Sequence, residues 1–159
     1  MPLERKRIVY VDMDGTLVDF GSGVARVDPD FAAPYLARGH PDEIPGVYSL
    51  MDPMPGAVEA FRELADRFDA YILSTAAWHN PSAWTDKLEW VKRTWGGGDD
   101  APAFKRLILS HHKDLNRGDF LIDDNAIHGA AEFQGEWIQY GSAAFPDWDA
   151  VLSYLRAQA

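Results

Sequence analysis

Residues 7–16 read Arg7-Ile8-Val9-Tyr10-Val11-Asp12-Met13-Asp14-Gly15-Thr16, an apolar run that stops abruptly on two carboxylates and a glycine. Unbroken apolar residues rich in β-branched and aromatic types predict a strand over 7–12 that is covered on both faces, as in a parallel sheet. In α/β sheets ligands gather at the carboxyl ends of strands, so Asp12 and Asp14 stand where chemistry is expected. Outward from this stretch the same character returns at 70–75 (AYILST), 106–110 (RLILS), 120–123 (FLID) and, more weakly, 136–140 (EWIQY).

Helical patterns fill the intervals. Pro55 opens PGAVEAFRELADRF, where Val58, Phe61, Leu64 and Ala65 share a face and proline suits the first turn. Residues 81–95 set Trp84, Leu88, Val91 and Trp95 at helical spacing. Residues 147–157 open on an acidic cap and turn Leu152 and Leu155 inward. Strands alternating with helices predict an α/β fold built on a parallel sheet. Residues 20–54 break the pattern: they are rich in Pro, Gly and Asp, and a helix of any length fits only around 28–38. That stretch is too long for an ordinary connection and is expected to be a small cap inserted after the first strand. The core is then expected over 1–19 and 55–159, with Gly96-Gly97-Gly98 as a slack loop closing a helix.

Composition narrows the function. A chain of 159 residues suits one domain, and a net charge of −10 disfavours binding to a nucleic acid polymer. There are no cysteines, which excludes disulfides, thiolate zinc sites and cysteine nucleophiles. No apolar run of about 18 residues is present, so no membrane span is expected. The first residues lack the small-residue cleavage site of a signal peptide, and a cytoplasmic location is expected.

The second strand ends in Ser74-Thr75, the fourth in Asp123-Asp124, and Lys113 lies in the loop between the third and fourth. Parallel strands would bring all of these to one edge. Clustered carboxylates repel unless a cation joins them, and oxygen donors without His or Cys point to Mg²⁺. A carboxylate can attack phosphorus, a second one two residues on can move the proton, and Lys113 and Thr75 can hold phosphoryl oxygens. Singly each signal is weak: an Asp-x-Asp often makes a turn, an Asp pair often starts a helix, and a lone lysine is usually solvated. Their joint order carries the reading. Phe20, Trp78 and His111 are candidates to line a substrate pocket. His111 and His112, as neighbours at a strand end, point apart and are not expected to share an ion. Trp84, Trp90 and Trp95 are read as core or helix surface.

At these residues the chain resembles the haloacid dehalogenase (HAD) superfamily of phosphohydrolases: VYVDMDGTLVD is similar to its first motif, ILST to the second, Lys113 to the third and LIDD to the fourth. The resemblance implies a Rossmann-like core, Mg²⁺ and a phosphoaspartate intermediate. It implies Asp12 as nucleophile and Asp14 as general acid and base. The metal would be held by the Asp12 carboxylate, the Asp14 backbone carbonyl and Asp124, with Asp123 supporting Lys113, although Asp123 and Asp124 could exchange roles. Thr75, Ala76 and Lys113 would bind phosphate. A closer likeness is to the 5'(3')-deoxyribonucleotidases, the cytosolic type C 5'-nucleotidases. It is carried by DMDGTLVDF, MDPMPGAVEAFRELAD, LEWVKRTWG, LILSHHKDLNRGDFLIDDN and FPDWDAVLSYL. It implies a phosphomonoesterase for (deoxy)ribonucleoside monophosphates. The alternatives are a phosphatase for another small phosphate ester and a catalytically weak binding protein on the same fold.

Two departures stand out. Ala76 occupies a position where that group has a second hydroxyl. The cap is short, with Phe20, Phe31, Tyr35 and Tyr48 as its aromatics, which leaves room for an oligomer in which a partner subunit completes the pocket.

Overall fold

The computed structural model describes residues 4–159. In chain order its elements are β1 (Ile8–Val11), β2 (Val18–Asp19), α1 (Phe20–Ala25), α2 (Pro29–Ala37), β3 (Asp52–Pro53), α3 (Ala57–Arg67), β4 (Asp69–Ser74), α4 (Pro81–Trp95), β5 (Leu107–Leu109), β6 (Phe120–Asp123), β7 (Glu136–Gln139) and α5 (Trp148–Arg156). Five strands form one parallel sheet in the order β5-β4-β1-β6-β7. β1 is its middle strand, with Val11 opposite Ile72 on one side and Ile122 on the other. Every predicted strand is present, each within a residue or two of its expected limits.

The alternation of side chains along β1 divides the interior. Val9 and Val11 join the main core with Phe61 and Leu64 of α3, Trp90 and Val91 of α4, and Trp148 and Leu155 of α5. Tyr10 turns to the other face, where a smaller cluster holds Leu73, Leu121, Ala130 and Phe133. That second face is only partly covered, with Tyr71, Ile108 and Trp137 half-buried along it.

Two helices differ from expectation. Pro55 lies in the turn before α3, which starts at Ala57 because Gly56 takes a left-handed conformation (φ 77°) at its N-cap. α4 spans the expected residues but turns a different face inward. Leu88 is 40% exposed, while Ala83, Lys87, Trp90, Val91 and Trp95 are buried. The helix is rotated because Lys87 is drawn to polar groups beneath it, as described below. α5 keeps its predicted cap, Asp147 accepting from the Ala150 amide at 2.9 Å.

Residues 20–54 contain α1, α2 and two 3₁₀ turns at Pro41–Glu43 and Val47–Leu50. α1 was not expected from its glycines and serine. Asp19 caps it through the Ser22 amide, and Gly23 lets it pass the Val47 carbonyl, where a Cβ would lie 2.8 Å from the oxygen. β2 and β3 pair antiparallel, Val18 with Pro53, and close the segment at its base. Helix α4 and the loop before it stitch the segment to the sheet. Trp90 Nε1 donates to the Met51 carbonyl (2.9 Å), Asn80 Nδ2 to the carbonyls of Asp42 (3.0 Å) and Ile44 (3.1 Å), and the Gly46 amide to Ser82 Oγ (3.0 Å). Among the described residues no helix is long and apolar enough to cross a membrane.

Candidate active site

The carboxyl ends of three neighbouring strands meet at one edge of the sheet. β1 delivers Asp12, whose amide still donates to the Ile122 carbonyl at 2.9 Å. A tight loop follows in which the amides of Thr16, Leu17 and Val18 all donate to the Met13 carbonyl. Gly15 is in the left-handed region (φ 73°), and a Cβ there would land on the Asp124 carboxylate. The glycine therefore allows the loop to pack against the end of β6. β4 delivers Ser74 and Thr75, and β6 delivers Asp123 and Asp124. Lys113 opens a 3₁₀ turn, Lys113–Leu115, between β5 and β6.

Lys113 is 3% exposed and bridges two carboxylates: its Nζ is 2.9 Å from Asp12 Oδ1 and 2.5 Å from Asp123 Oδ2. The other Asp123 oxygen accepts from the Asn125 amide at 3.1 Å, so both oxygens of that carboxylate are already engaged. Asp12, Asp123 and Asp124 each offer an oxygen within 4.8 Å of the others. Burial, reinforced by the neighbouring carboxylates and opposed by Lys113, pushes Asp12 up to about 7. Burial and the charge of Asp12 push Asp124 up to about 6. Burial alone would lower Lys113, but Asp12 and Asp123 outweigh it and hold the ammonium above its ordinary value.

All the donors in this cluster are hard oxygens, the set that suits a cation such as Mg²⁺ rather than a softer transition metal. Three carboxylates, those of Asp12, Asp123 and Asp124, stand beside one buried lysine, Lys113. With all four ionised, two negative charges remain, the amount that one divalent cation cancels.

The Asp14 carboxylate does not belong to the cluster. It accepts from Tyr48 Oη at 3.2 Å and lies 3.4 Å from Lys87 Nζ. Thr75 Oγ1 donates to the Ser110 carbonyl at 2.8 Å. Asp12, Asp14, Thr75, Lys113 and Asp124 line one cavity of about 710 Å³, and so do Phe20, Trp78 and His111. Trp78 is 72% exposed and meets His111 edge-on at 5.8 Å between ring centroids. Ala76 is placed differently from the other phosphate candidates. Its methyl is fully buried in the main core, and Ala77 lines the cavity instead.

Sequence reasoning missed Lys87, Asp42 and His128 at this site, and it named Tyr48 only as a cap aromatic, not as a partner of Asp14. Lys87 did leave a signal: it is a charged residue in step with Ala83, Trp90 and Val91 on an otherwise apolar face. Tyr48 left none, because its segment has no period to depart from. A second cleft of about 530 Å³ lies at the opposite, amino-terminal end of the strands. Within it Arg106 pairs with Asp69, and Lys6 donates to the Asp66 carbonyl.

The family profile described as "5' nucleotidase, deoxy (Pyrimidine), cytosolic type C protein" matches residues 40–146. A protein of Vibrio phage KVP40, provisionally named 5'(3')-deoxyribonucleotidase, is 51% identical over 153 residues, covering 96% of this chain and 86% of its own. The human 5'(3')-deoxyribonucleotidase, cytosolic type, is 31% identical over 173 residues, covering 91% of this chain and 78% of its own. A magnesium-bound Bacillus subtilis protein, provisionally assigned as a HAD-hydrolase, superposes with a TM-score of 0.61 at 12% identity, covering 96% of this chain and 99% of that one. A HAD-superfamily hydrolase of Geobacter sulfurreducens gives 0.57 at 12% identity, covering 94% and 96%. At such identities the structural likeness is one of fold, the Rossmann-like α/β architecture of these hydrolases.

Proposed function

The chain belongs to the cytosolic type C family of 5'-nucleotidases, which are phosphoric monoester hydrolases, and from that premise we propose a Mg²⁺-dependent nucleotidase that works through a phosphoaspartate on Asp12. Its substrates on this reading are (deoxy)ribonucleoside 5'-monophosphates. The observation that supports it most is the Asp12–Lys113–Asp123 bridge beside Asp124 in a cavity large enough for a nucleotide. Residues 20–54 act as a small cap over a core of 1–19 and 55–159, and the protein works in the cytoplasm, as the name of the human relative says of that protein.

In this proposal the Asp12 carboxylate, the Asp14 backbone carbonyl and Asp124 would hold Mg²⁺, while Asp123 orients Lys113. The bound ion would supply positive charge that favours ionised carboxylates and neutralises phosphoryl oxygens. Lys113 binds one phosphoryl oxygen while holding Asp12 in line. Thr75 gives the phosphate a hydrogen bond only by rotating its hydroxyl away from the Ser110 carbonyl, and the backbone at Ala76 completes the cradle. An oxygen of Asp12 then bonds to phosphorus as the ester P–O bond breaks, and the Asp14 carboxyl gives its proton to the leaving alkoxide. In the second half Asp14 takes a proton from water. That water's oxygen bonds to phosphorus, and the bond to Asp12 breaks, releasing phosphate. Phe20, Trp78 and His111 contact the nucleoside.

The test is phosphate release from dUMP, dTMP, UMP, AMP, a sugar phosphate and p-nitrophenyl phosphate, with Mg²⁺ or with EDTA. The expected result is preference for deoxynucleotides, loss with EDTA, and a fall on the order of 10⁵–10⁶-fold in Asp12→Asn, as for loss of a nucleophile elsewhere. Full turnover in Asp12→Asn would overturn the mechanism. Equal turnover of every ester would overturn the nucleotide assignment.

A further inference from the structure

Lys87 has no solvent exposure, and none of the steps above uses it. A buried ammonium costs several kcal/mol unless its hydrogen bonds are met. Here Nζ donates to Ser74 Oγ at 2.6 Å and to the Thr75 carbonyl at 2.9 Å. It also lies 3.4 Å from both oxygens of the Asp14 carboxylate. Tyr48 closes the arrangement from the side of residues 20–54. Its ring centroid is 4.6 Å from Lys87 Nζ, and its hydroxyl donates to Asp14 Oδ2.

The distances rank these contacts. Charge-assisted N–H···O⁻ bonds run at about 2.7–2.9 Å, so the bonds that fix Lys87 are those to the end of β4. Its equal, longer separation from the two Asp14 oxygens makes it a fixed charge facing the carboxylate as a whole. We propose that Lys87 is a positioning residue for Asp14. Anchored on Ser74 and Thr75, it sets the place of the carboxyl group, and Tyr48 sets its rotation. With Oδ2 engaged by the Tyr48 hydroxyl, Oδ1 is the oxygen that exchanges the proton with the leaving alcohol. The same lysine ties the acid to the Thr75 backbone, so the proton donor and the phosphate cradle keep one geometry. This inference rests on the nucleotidase reading.

The experiment compares leaving groups. p-Nitrophenolate departs without a proton, whereas the alkoxide of a nucleotide needs one. kcat/KM reports only the steps through the first phosphoryl transfer, so it isolates the acid from later hydrolysis. In Lys87→Met we expect kcat/KM for dUMP to fall about 10²-fold, within the usual range of general acid catalysis. For p-nitrophenyl phosphate the fall should stay below about tenfold. Asp14→Asn should show the same split, and Tyr48→Phe, which removes one hydroxyl and keeps the ring, a smaller one in the same sense. Equal losses on both esters would reduce Lys87 to a structural post for the phosphate loop and overturn the proposal. No loss on either, or no split in Tyr48→Phe when Lys87→Met fails to fold, would also overturn it. A wild-type protein that hydrolyses neither ester is a separate outcome, one that overturns the nucleotidase reading and this inference with it.

Discussion

Replacing Lys113 by methionine would leave a side chain of similar length and no charge between Asp12 and Asp123. The ammonium is 3% exposed and lies 2.9 Å and 2.5 Å from those two carboxylates. Removing one partner of a buried ion pair costs about 3–5 kcal/mol, because the remaining charge stays buried without compensation. Domains of this kind are stable by only about 5–15 kcal/mol. At about 2–4 °C per kcal/mol for this size, the midpoint of thermal unfolding should fall by roughly 6–20 °C. The measurement is thermal and urea unfolding at pH 7.5 in EDTA, so that no bound cation replaces the missing charge. The Asp123→Asn background supplies the control. There the asparagine carries no charge, and loss of Lys113 should cost at least about 1 kcal/mol less. A Lys113→Met protein within about 1 kcal/mol of wild type, or an equal loss in both backgrounds, would refute the electrostatic argument.

Gly15→Ala should disturb the metal site while sparing the fold. The substitution strains a left-handed residue by about 1–2 kcal/mol and pushes the Asp124 carboxylate aside. Calorimetry should show Mg²⁺ binding weakened at least about tenfold with an unchanged circular dichroism spectrum, and an unchanged affinity would contradict the proposed role of Asp124. Glu63 ties α3 to α5, accepting from Arg156 Nε at 2.7 Å and Nη2 at 2.9 Å. Those bonds hold its carboxyl below the ordinary 4.5. Because the folded value is depressed, its contribution is complete above pH 4.5 and is lost as pH falls through the lower folded value. The urea midpoint of Glu63→Gln should therefore lie below wild type at pH 7 and converge with it once the pH has fallen below the folded value. A gap that persists in acid would show that the pairing is not its source.

The five strands were legible because each is a short apolar run ending in chemistry-bearing residues, and burial on both sides of a parallel strand leaves few other readings. The motif residues were legible for a related reason. A strand end fixes where a side chain goes, so Asp12, Asp123, Asp124 and Lys113 could be brought together by topology alone. α4 was misjudged because two apolar faces compete in its sequence. The one with Leu88 carries no charge, but Lys87 finds three polar partners beneath the other, Ser74, Thr75 and Asp14, and together they decide the rotation. Tyr48 and α1 were not legible, since both depend on tertiary contacts of a segment without period: the Asp14 carboxylate for the tyrosine, and the Val47 backbone for Gly23.

The position of β1 has a consequence for how the protein folds. Ile8 pairs with Asp69 and Val9 with Phe120, so the strand that bears Asp12 is flanked on both sides by segments that arrive much later in the chain. Parallel pairings over such separations form slowly, because loop closure must precede any gain from contact. Asp12 therefore meets Lys113 and Asp124 only when the middle of the sheet is complete. A chain still leaving the ribosome presents the DxDGT motif long before β6 emerges, and the proposed phosphoryl-transfer centre is assembled only when β6 has docked.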